Sequence, residues 1–315
     1  MANNFSDYSS SIIDRAWAGP RAKWIGRVPS MMDAEENMML FEITRTFPRK
    51  IEHIVDGGAF LGASTVCFGQ ALSWREKSTD ESYGREAIYS YDLFETTDYV
   101  RHFVEVNLSR KASNDPDYLF REYIHNVGEF IRYTSVIKGD VRNFPWKDDQ
   151  QIDILFLDFL NTENINEFAI TNFFPHLIAQ ESIVIQQDYF HELVPWIPLT
   201  MELMSDHFEH LTTCCSSALF KVIKPIKSAT SVQMADEVRS LSTSDKITIF
   251  DKIQTRFAEP GRRAMLELSK IRAVLADGDI DRARHIADAL SADYLALKWP
   301  AELLRRMMIN AQPSR

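Results

Sequence analysis

The sequence predicts an α/β protein with a mostly parallel sheet, an antiparallel hairpin at one sheet edge, and an all-α C-terminal extension. Between residues 51 and 224, short β-rich runs alternate with helical stretches, the pattern of strands linked by crossover helices. Several runs are almost continuously apolar, as in Ile154-Leu155-Phe156-Leu157, which fits strands covered on both faces. After Lys227 no further strand pattern occurs and apolar residues recur at helical spacing. The expected divisions are a helical N-terminal cap over 1–50, an α/β domain over 51–225 and a helical extension over 226–315.

In chain order, Ser30-Met31-Met32-Asp33 is expected to cap a helix carrying Met32, Met39, Leu40, Ile43 and Phe47 on one face. Met31, Met32, Met38 and Met39 read as packing residues of that helix. Strands are expected at Ile51–Asp56, Ala87–Asp92, Thr134–Lys138, Ile152–Asp158 and Ser182–Asp188. Two more, Leu211–Thr213 and Ala218–Ile223, leave no room for a helix between them and so form the edge hairpin. Trp74 to Glu86 reads as a polar insertion. In the extension, Ile249, Ile253 and Phe257 form one stripe, Ala264, Leu268, Ile271 and Leu275 a second, and Ala283, Ile286, Ala287 and Leu290 a third. Asp277-Gly278-Asp279 stops one helix and caps the next, making a helical hairpin. Leu303, Leu304, Met307 and Met308 offer either a homodimer or partner contact or docking onto the chain's own α/β domain.

The 315 residues are 45% apolar and 25% charged, the composition of a packed protein. A net charge of −10 repels phosphate backbones and anionic lipid, which argues against nucleic acid as the partner. Cys67, Cys214 and Cys215 have no metal-knuckle spacing, and two of the three are neighbours, so a reducing cytoplasmic location is expected. Met1 to Ile13 lacks the basic-then-apolar pattern of a secretory leader, and no run of eighteen apolar residues predicts a membrane span.

Only 11 glycines occur, yet four lie between 57 and 69, in and after Asp56-Gly57-Gly58-Ala59-Phe60-Leu61-Gly62-Ala63-Ser64-Thr65. Clustered between a strand and a helix, they point to close approach of a ligand, with a ligand-free tight turn as the competing reading. Each of the first five expected strands also ends in, or is closely followed by, an acid or amide: Asp56, Asp92, Asp140, Asp158 and Gln187-Asp188. Ligands of open α/β sheets sit outside the carboxyl ends of the strands, so these groups mark one polar rim. Asp92, after the second strand, is placed to accept ribose hydroxyls, or else is a solvated turn residue.

The stretches D-G-G-A-F-L-G-A-S-T, I-Y-S-Y-D at 88–92, K-G-D-V at 138–141, I-L-F-L-D at 154–158 and V-I-Q-Q-D-Y at 184–189, in that order, resemble class I S-adenosylmethionine-dependent methyltransferases. More narrowly they resemble the macrocin O-methyltransferase-like branch, methyltransferase family 24. The resemblance covers about 30–225 and implies a Rossmann-like class I methyltransferase fold. It implies cofactor contacts from Asp56, Gly58, Ala59, Phe60, Gly62 and Ser64 around the methionine part, Asp92 at the ribose, and Asp140 with Val141 at the adenine. A nicotinamide site fits less well, since the first loop is not G-x-G-x-x-G. The branch also implies a divalent metal, Mg²⁺, held by Asp158, Asp188 and Gln187, although an amide stands at Gln187 where an acid is expected. Asn161 stands where the branch has a histidine, leaving His191 as the candidate base. If no metal binds, Asp158 and Asp188 orient substrate hydroxyls.

The functional expectation is therefore O-methylation of a small polar acceptor, a sugar or glycan hydroxyl, with Asp158, His191 and Asn161 at the reacting group. The alternative is a non-catalytic binding module whose helical tail recruits a protein partner; a hydroxylase-like relative is a third. Tyr189, Phe190, Trp196 and Phe60 fit an acceptor pocket or the core. His125, His176, His207 and His210, near expected helices, read as surface or packing residues, and the Arg262-Arg263 and Arg305-Arg306 pairs as solvated helix faces.

Overall fold

Seven strands form one sheet in the computed structural model, which describes residues 26–108, 111–290, 294 and 296–310. Met1 to Ile13, considered above for a leader, lies outside the described residues. The strands are β1 (Ile54–Gly57), β2 (Ile88–Asp92), β3 (Thr134–Lys138), β4 (Ile154–Leu157), β5 (Ile183–Gln186), β6 (Phe208–Cys214) and β7 (Ser217–Val222), in the order β3-β2-β1-β4-β5-β7-β6. Parallel pairing aligns Ile54 with both Ile88 and Ile154, and Ile154 with Ile183. β7 runs antiparallel to β5, pairing Ala218 with Gln186, and the two-residue turn Cys215-Ser216 joins it to β6. The expected Rossmann-like sheet with its edge hairpin is what forms. Every residue of β1, β4 and β5 is buried, which explains their unbroken apolar runs. β1 lies between β2 and β4, so the strand order reverses there and the topological switch point lies at the carboxyl ends of β1 and β4.

The chain divides into two compact units. One comprises Met1–Phe159, His176–Gln187 and Glu209–Pro225; the other comprises Leu160–Pro175, Asp188–Phe208 and Ile226–Arg315. The first holds the sheet with α1 (Ala34–Thr46), α2 (Ala63–Ser78), α3 (Asp98–Leu108) and α4 (Tyr118–Val127). Met39, Leu40 and Ile43 of α1 and Phe68 and Ala71 of α2 share a core with Ile54, Ile88, Phe156 and Ile185. α1 starts later than expected: Asp33, not Ser30, is its cap, with Glu36 as reciprocal partner, so Met31 and Met32 precede the helix while Met38 and Met39 are buried. Nor is the stretch from Trp74 wholly an insertion, because α2 continues through Ser78.

That extension of α2 has a physical cause. Arg75, 5% exposed, donates to the carbonyls of Phe47 and Arg49 at 2.7 and 2.6 Å, and to Glu81 at 2.7 and 2.8 Å. It thereby satisfies carbonyls where the chain leaves α1, work that a solvated residue could not do inside the core.

The second unit contains α5 (Glu163–Asn172), α6 (Trp196–Leu203), α7 (Ser228–Ser240), α8 (Thr243–Gln254), α9 (Pro260–Ala276), α10 (Ile280–Asp288) and α11 (Lys298–Asn310). The expected hairpin forms: α9 ends before Gly278 at φ +82°, and Asp279 accepts the Arg282 N–H at 3.1 Å. Leu268, Ile271 and Val274 of α9 pack with Ala283, Leu304 and Met307, so Leu304 and Met307 are buried within this unit.

Replacing Arg75 by Met is expected to cost about 3 kcal/mol, because it strands the Glu81 carboxylate and several carbonyls. The urea midpoint should fall with the slope unchanged; an unchanged midpoint would show that the clasp is energetically idle.

Candidate functional site

The loop leaving β1 is shaped first by lack of room. A Cβ on Gly58 would lie 2.2 Å from the Asp158 carbonyl oxygen, one on Gly57 2.0 Å from the Phe159 ring, and one on Gly62 2.7 Å from Val127. Gly58 and Gly62 also have φ of +86° and +95°. The glycine cluster is thus required by the turn and by β4, whatever ligand approaches. The loop's own N–H groups are largely spent internally: Gly58 and Ala59 donate to the Tyr91 carbonyl at 2.9 and 3.2 Å, and Gly62 to Ala59 at 2.7 Å. Phe60, half-buried at φ +47°, packs edge-on to Phe103 with ring centroids 5.5 Å apart. α2 then opens on Gly62 without a side-chain cap, leaving its first-turn N–H groups, among them that of Ser64, to a ligand or water.

The rim acids prove to have different surroundings. Asp56 is fully buried, and Thr65, Ser64 and Ser90 face its carboxylate, Ser90 donating at 3.0 Å. Burial pushes its carboxyl up to about 6, with the hydroxyls opposing the rise. Asp92 holds the turn from both sides, accepting the Phe60 N–H at 2.8 Å and the Phe94 N–H at 2.6 Å. Burial raises this carboxyl above the usual range against those two donors. Asp140 is more open; it caps the short 3-10 turn Val141–Asn143 and accepts the Arg142 guanidinium at 2.5–3.1 Å, which lowers it to about 2. Val141 beside it is buried. Leu93 and Phe144, following Asp92 and the Val141 turn, are exposed apolar groups that composition did not single out.

At the other side of the switch point, Asp158 is half-buried directly after β4, its N–H bonded to the Gly57 carbonyl at 2.8 Å. The backbone N–H of Gln187 donates to the Leu157 carbonyl at 3.1 Å, so Asp158 and Gln187 leave adjacent strands. Gln187 is buried and both ends of its amide are engaged: Nε2 donates to Glu36 and Ser216 at 3.1 Å each, and Oε1 accepts from Ser217 at 2.6 Å. Glu36, which sequence reading passed over, is a carboxylate surrounded by donors, adding the Asp33 and Ser216 N–H groups and the Ser216 hydroxyl at 3.0–3.1 Å, while the single Ser217 proton lies between Glu36 at 2.8 Å and the Gln187 oxygen. Its only sequence signal was its position three residues after Asp33, in the helix cap. Burial raises its carboxyl despite the donors.

In the second unit, Asn161 is exposed before the Thr162 cap of α5. Burial raises the Asp188 carboxyl, with His191 lowering it and Glu192 raising it further. His191 is partly exposed; its Nδ1 accepts the Leu193 N–H at 3.2 Å and lies 3.6 Å from Glu192. Accepting at Nδ1 places the neutral ring's proton on Nε2. Tyr189 and Phe190 are buried against Phe257, the core reading of the two offered, while Trp196 donates to the Leu160 carbonyl at 2.7 Å. Arg262 is not simply a solvated helix residue, since it lies over the Phe190 ring at 5.6 Å. His210 sits in β6 rather than beside a helix. Among the described residues no three His, Cys, Asp or Glu gather as a metal-holding group, and no helix is long and apolar enough to cross a membrane.

No family model matches the chain, and no curated protein matches it. Among solved structures it is similar to the O-methyltransferase NovP, at 13% identity and TM-score 0.44 over 62% of this chain and 82% of that one. It is also similar to CalS11, a TDP-rhamnose 3′-O-methyltransferase of calicheamicin biosynthesis, at 14% identity and TM-score 0.44 over 69% and 92%. What this chain can do is decided by its own residues.

Two outcomes are expected at this rim. Gly58→Ala should destabilise the protein by 2 kcal/mol or more on the order-of-magnitude scale of left-handed strain plus overpacking, read as a lower urea midpoint. Asp56 binds its proton more tightly folded, near 6, than unfolded, near 3.8, so its contribution to stability is lost as pH rises between those values. The loss is about 3 kcal/mol. Asp56→Asn should flatten stability between pH 4 and 6; an equally steep profile would place the titration elsewhere.

Proposed function

We propose that the protein is an S-adenosylmethionine-dependent O-methyltransferase acting on a small polar acceptor, with a sugar hydroxyl as the acceptor class. The observation that carries this reading is the tie between Asp92 and the glycine loop: the acid ending β2 accepts the Phe60 N–H at the switch point, so loop and acid form one cradle. Each Asp92 oxygen accepts one backbone N–H and keeps lone pairs for a vicinal diol. The uncapped start of α2 suits a carboxylate, and Leu93 and Phe144 offer apolar faces to a heterocycle. The residues therefore fit the nucleoside and amino-acid parts of the cofactor, which, when bound, supplies a methyl group on a sulfonium.

The chain's part is to hold the acceptor oxygen in line with that methyl group and to take its proton as the new C–O bond forms. Asp158 orients the acceptor hydroxyl by accepting from it. Asp188 is the base of this reading, because burial raises its carboxyl above the usual carboxylate range, whereas His191, whose Nδ1 accepts the Leu193 N–H, turns its Nε2 side to the acceptor as a donor. No step of this reading runs through a metal; the Gln187 amide, where the resemblance has an acid, faces Glu36, Ser216 and Ser217. The second reading, a binding module without chemistry, is favoured by Asn161 and by Gln187 serving Glu36.

Calorimetric titration with S-adenosylmethionine and S-adenosylhomocysteine, with and without Mg²⁺, should show micromolar binding independent of the metal. Asp92→Ala should weaken it about thirtyfold, equivalent to about 2 kcal/mol. Methyl transfer to a panel of hexoses and nucleoside-diphosphate sugars should fall at least a hundredfold in Asp188→Asn. Absence of cofactor binding would overturn the proposal; binding without turnover on any acceptor would favour the module.

A further inference from the structure

The loop that follows β5, residues 188–194, carries Asp188 and His191, and its support comes from the C-terminal helices. Tyr189 and Phe190, 2% and 4% exposed, turn away from solvent and stack edge-on to each other at 5.0 Å. Phe257, in the turn between α8 and α9, packs against both, at 6.1 Å from Tyr189 and in T-shaped contact with Phe190 at 5.0 Å. The Arg262 guanidinium on the first turns of α9 covers the same Phe190 ring at 5.6 Å. Two turns further on, the buried Ser269 hydroxyl reaches the His191 carbonyl at 3.4 Å, shared with the Met265 carbonyl at 3.1 Å. The turn bearing Phe257 is fixed in its place: Arg256 pairs with the buried Glu202 of α6 at 2.5–2.6 Å, and Lys252 with the same carboxylate at 2.8 Å.

The loop's own bonds are few by comparison. His191 donates its N–H to the Asp188 carbonyl at 3.0 Å, Val194 donates to His191 at 3.3 Å, and Leu193 donates to the His191 ring. These close a local turn but leave its orientation to its packing. Residues 257–269 supply that packing: the Phe257 ring and the Arg262 guanidinium lie against the loop's aromatic rings, and the Ser269 hydroxyl reaches its His191 carbonyl.

We propose that Phe257, Arg262 and Ser269 are positioning residues that hold the Asp188–Val194 loop, so that the helical extension supports the loop bearing Asp188 and His191 rather than being an appended recruitment module. The inference rests on the reading of Asp188 and His191 given under Proposed function. Its chemical logic is general: a base and a donor on a loop work only if the loop is held to a fraction of an ångström, and here the holding groups are supplied from some seventy residues downstream. Arg262 acts on the ring face as a cation, and Phe257 acts by shape, so each has a conservative substitute that separates its role from general stability.

The test is amide hydrogen exchange on the full chain, with S-adenosylhomocysteine calorimetry alongside. In Phe257→Leu and in Arg262→Met, the amides of 189–194 should exchange at least tenfold faster, while β1, β2 and β4 keep their protection and S-adenosylhomocysteine binds within twofold of the parent. Phe257→Tyr and Arg262→Lys should restore protection of the loop. Unchanged exchange in 189–194 would overturn the proposal, as would a uniform acceleration across all strands that the conservative variants do not reverse, the signature of mere loss of stability. Failure of the parent protein to bind S-adenosylhomocysteine would overturn the methyltransferase reading instead, and the exchange result would still decide what holds the loop.

Discussion

The rim depends on how closely the backbone leaving β1 approaches the chain leaving β4. Gly57 and Gly58 have no space for a β-carbon because Phe159 and the Asp158 carbonyl fill it, and the Gly57 carbonyl takes the Asp158 N–H. This contact fixes where the chain turns into α2, and so where the uncapped helix start and the Phe60 N–H point. It also brings Asp158 beside the glycine loop without any side-chain contact being needed. A larger residue at either position would push the two strand ends apart and separate the cradle from the acid that follows β4.

Within that frame, identical acids take on different duties from their neighbours. Asp140 is held ionised by a guanidinium and by the N–H it caps, a structural corner. Asp92 is anchored by two backbone donors, one on each oxygen, and so ties the glycine loop to the turn after β2. Asp56 faces only hydroxyls and pays for its burial with a raised proton affinity. Desolvation outweighs hydrogen bonding at Asp56, Asp92 and Glu36 alike, since neutral donors recover only part of what water gives a carboxylate.

What could be read locally in the sequence was the period and the punctuation. Buried parallel strands announce themselves through unbroken runs such as Ile154–Leu157, and the stop-and-cap at Asp277-Gly278-Asp279 is written in three consecutive residues. Interactions between distant positions were not legible. Arg75 clasps carbonyls some thirty residues upstream, in a stretch whose polarity reads as solvent-facing, and Arg262 covers an aromatic ring seventy-two residues before it. A charged residue that buries its stem and spends its head on carbonyls or a ring has the same local appearance as one in water. The glycines illustrate a second limit: their clustering was visible, but it reports on packing against Phe159, Asp158 and Val127 as well as on any ligand.

Gln187 shows how a departure from a motif can be a consequence of packing. The resemblance leads one to expect an acid there, paired with Asp188. In this chain the position faces Glu36, whose carboxylate is buried, carries a raised carboxyl and is served by neutral donors throughout. An acid in place of Gln187 would set a second anion about 3 Å from the first, and at that distance in a poorly solvated setting the repulsion is several kcal/mol unless one of the two takes up a proton. The amide resolves the conflict by turning its Nε2 donor toward Glu36 and its oxygen toward Ser217. Glu36 in turn caps α1 through the Asp33 N–H, so the amide joins the first helix, the end of β5 and the edge hairpin in one hydrogen-bonded group. Gln187 is thus given to the fold, its amide spent on the partners that hold the first helix to the end of β5.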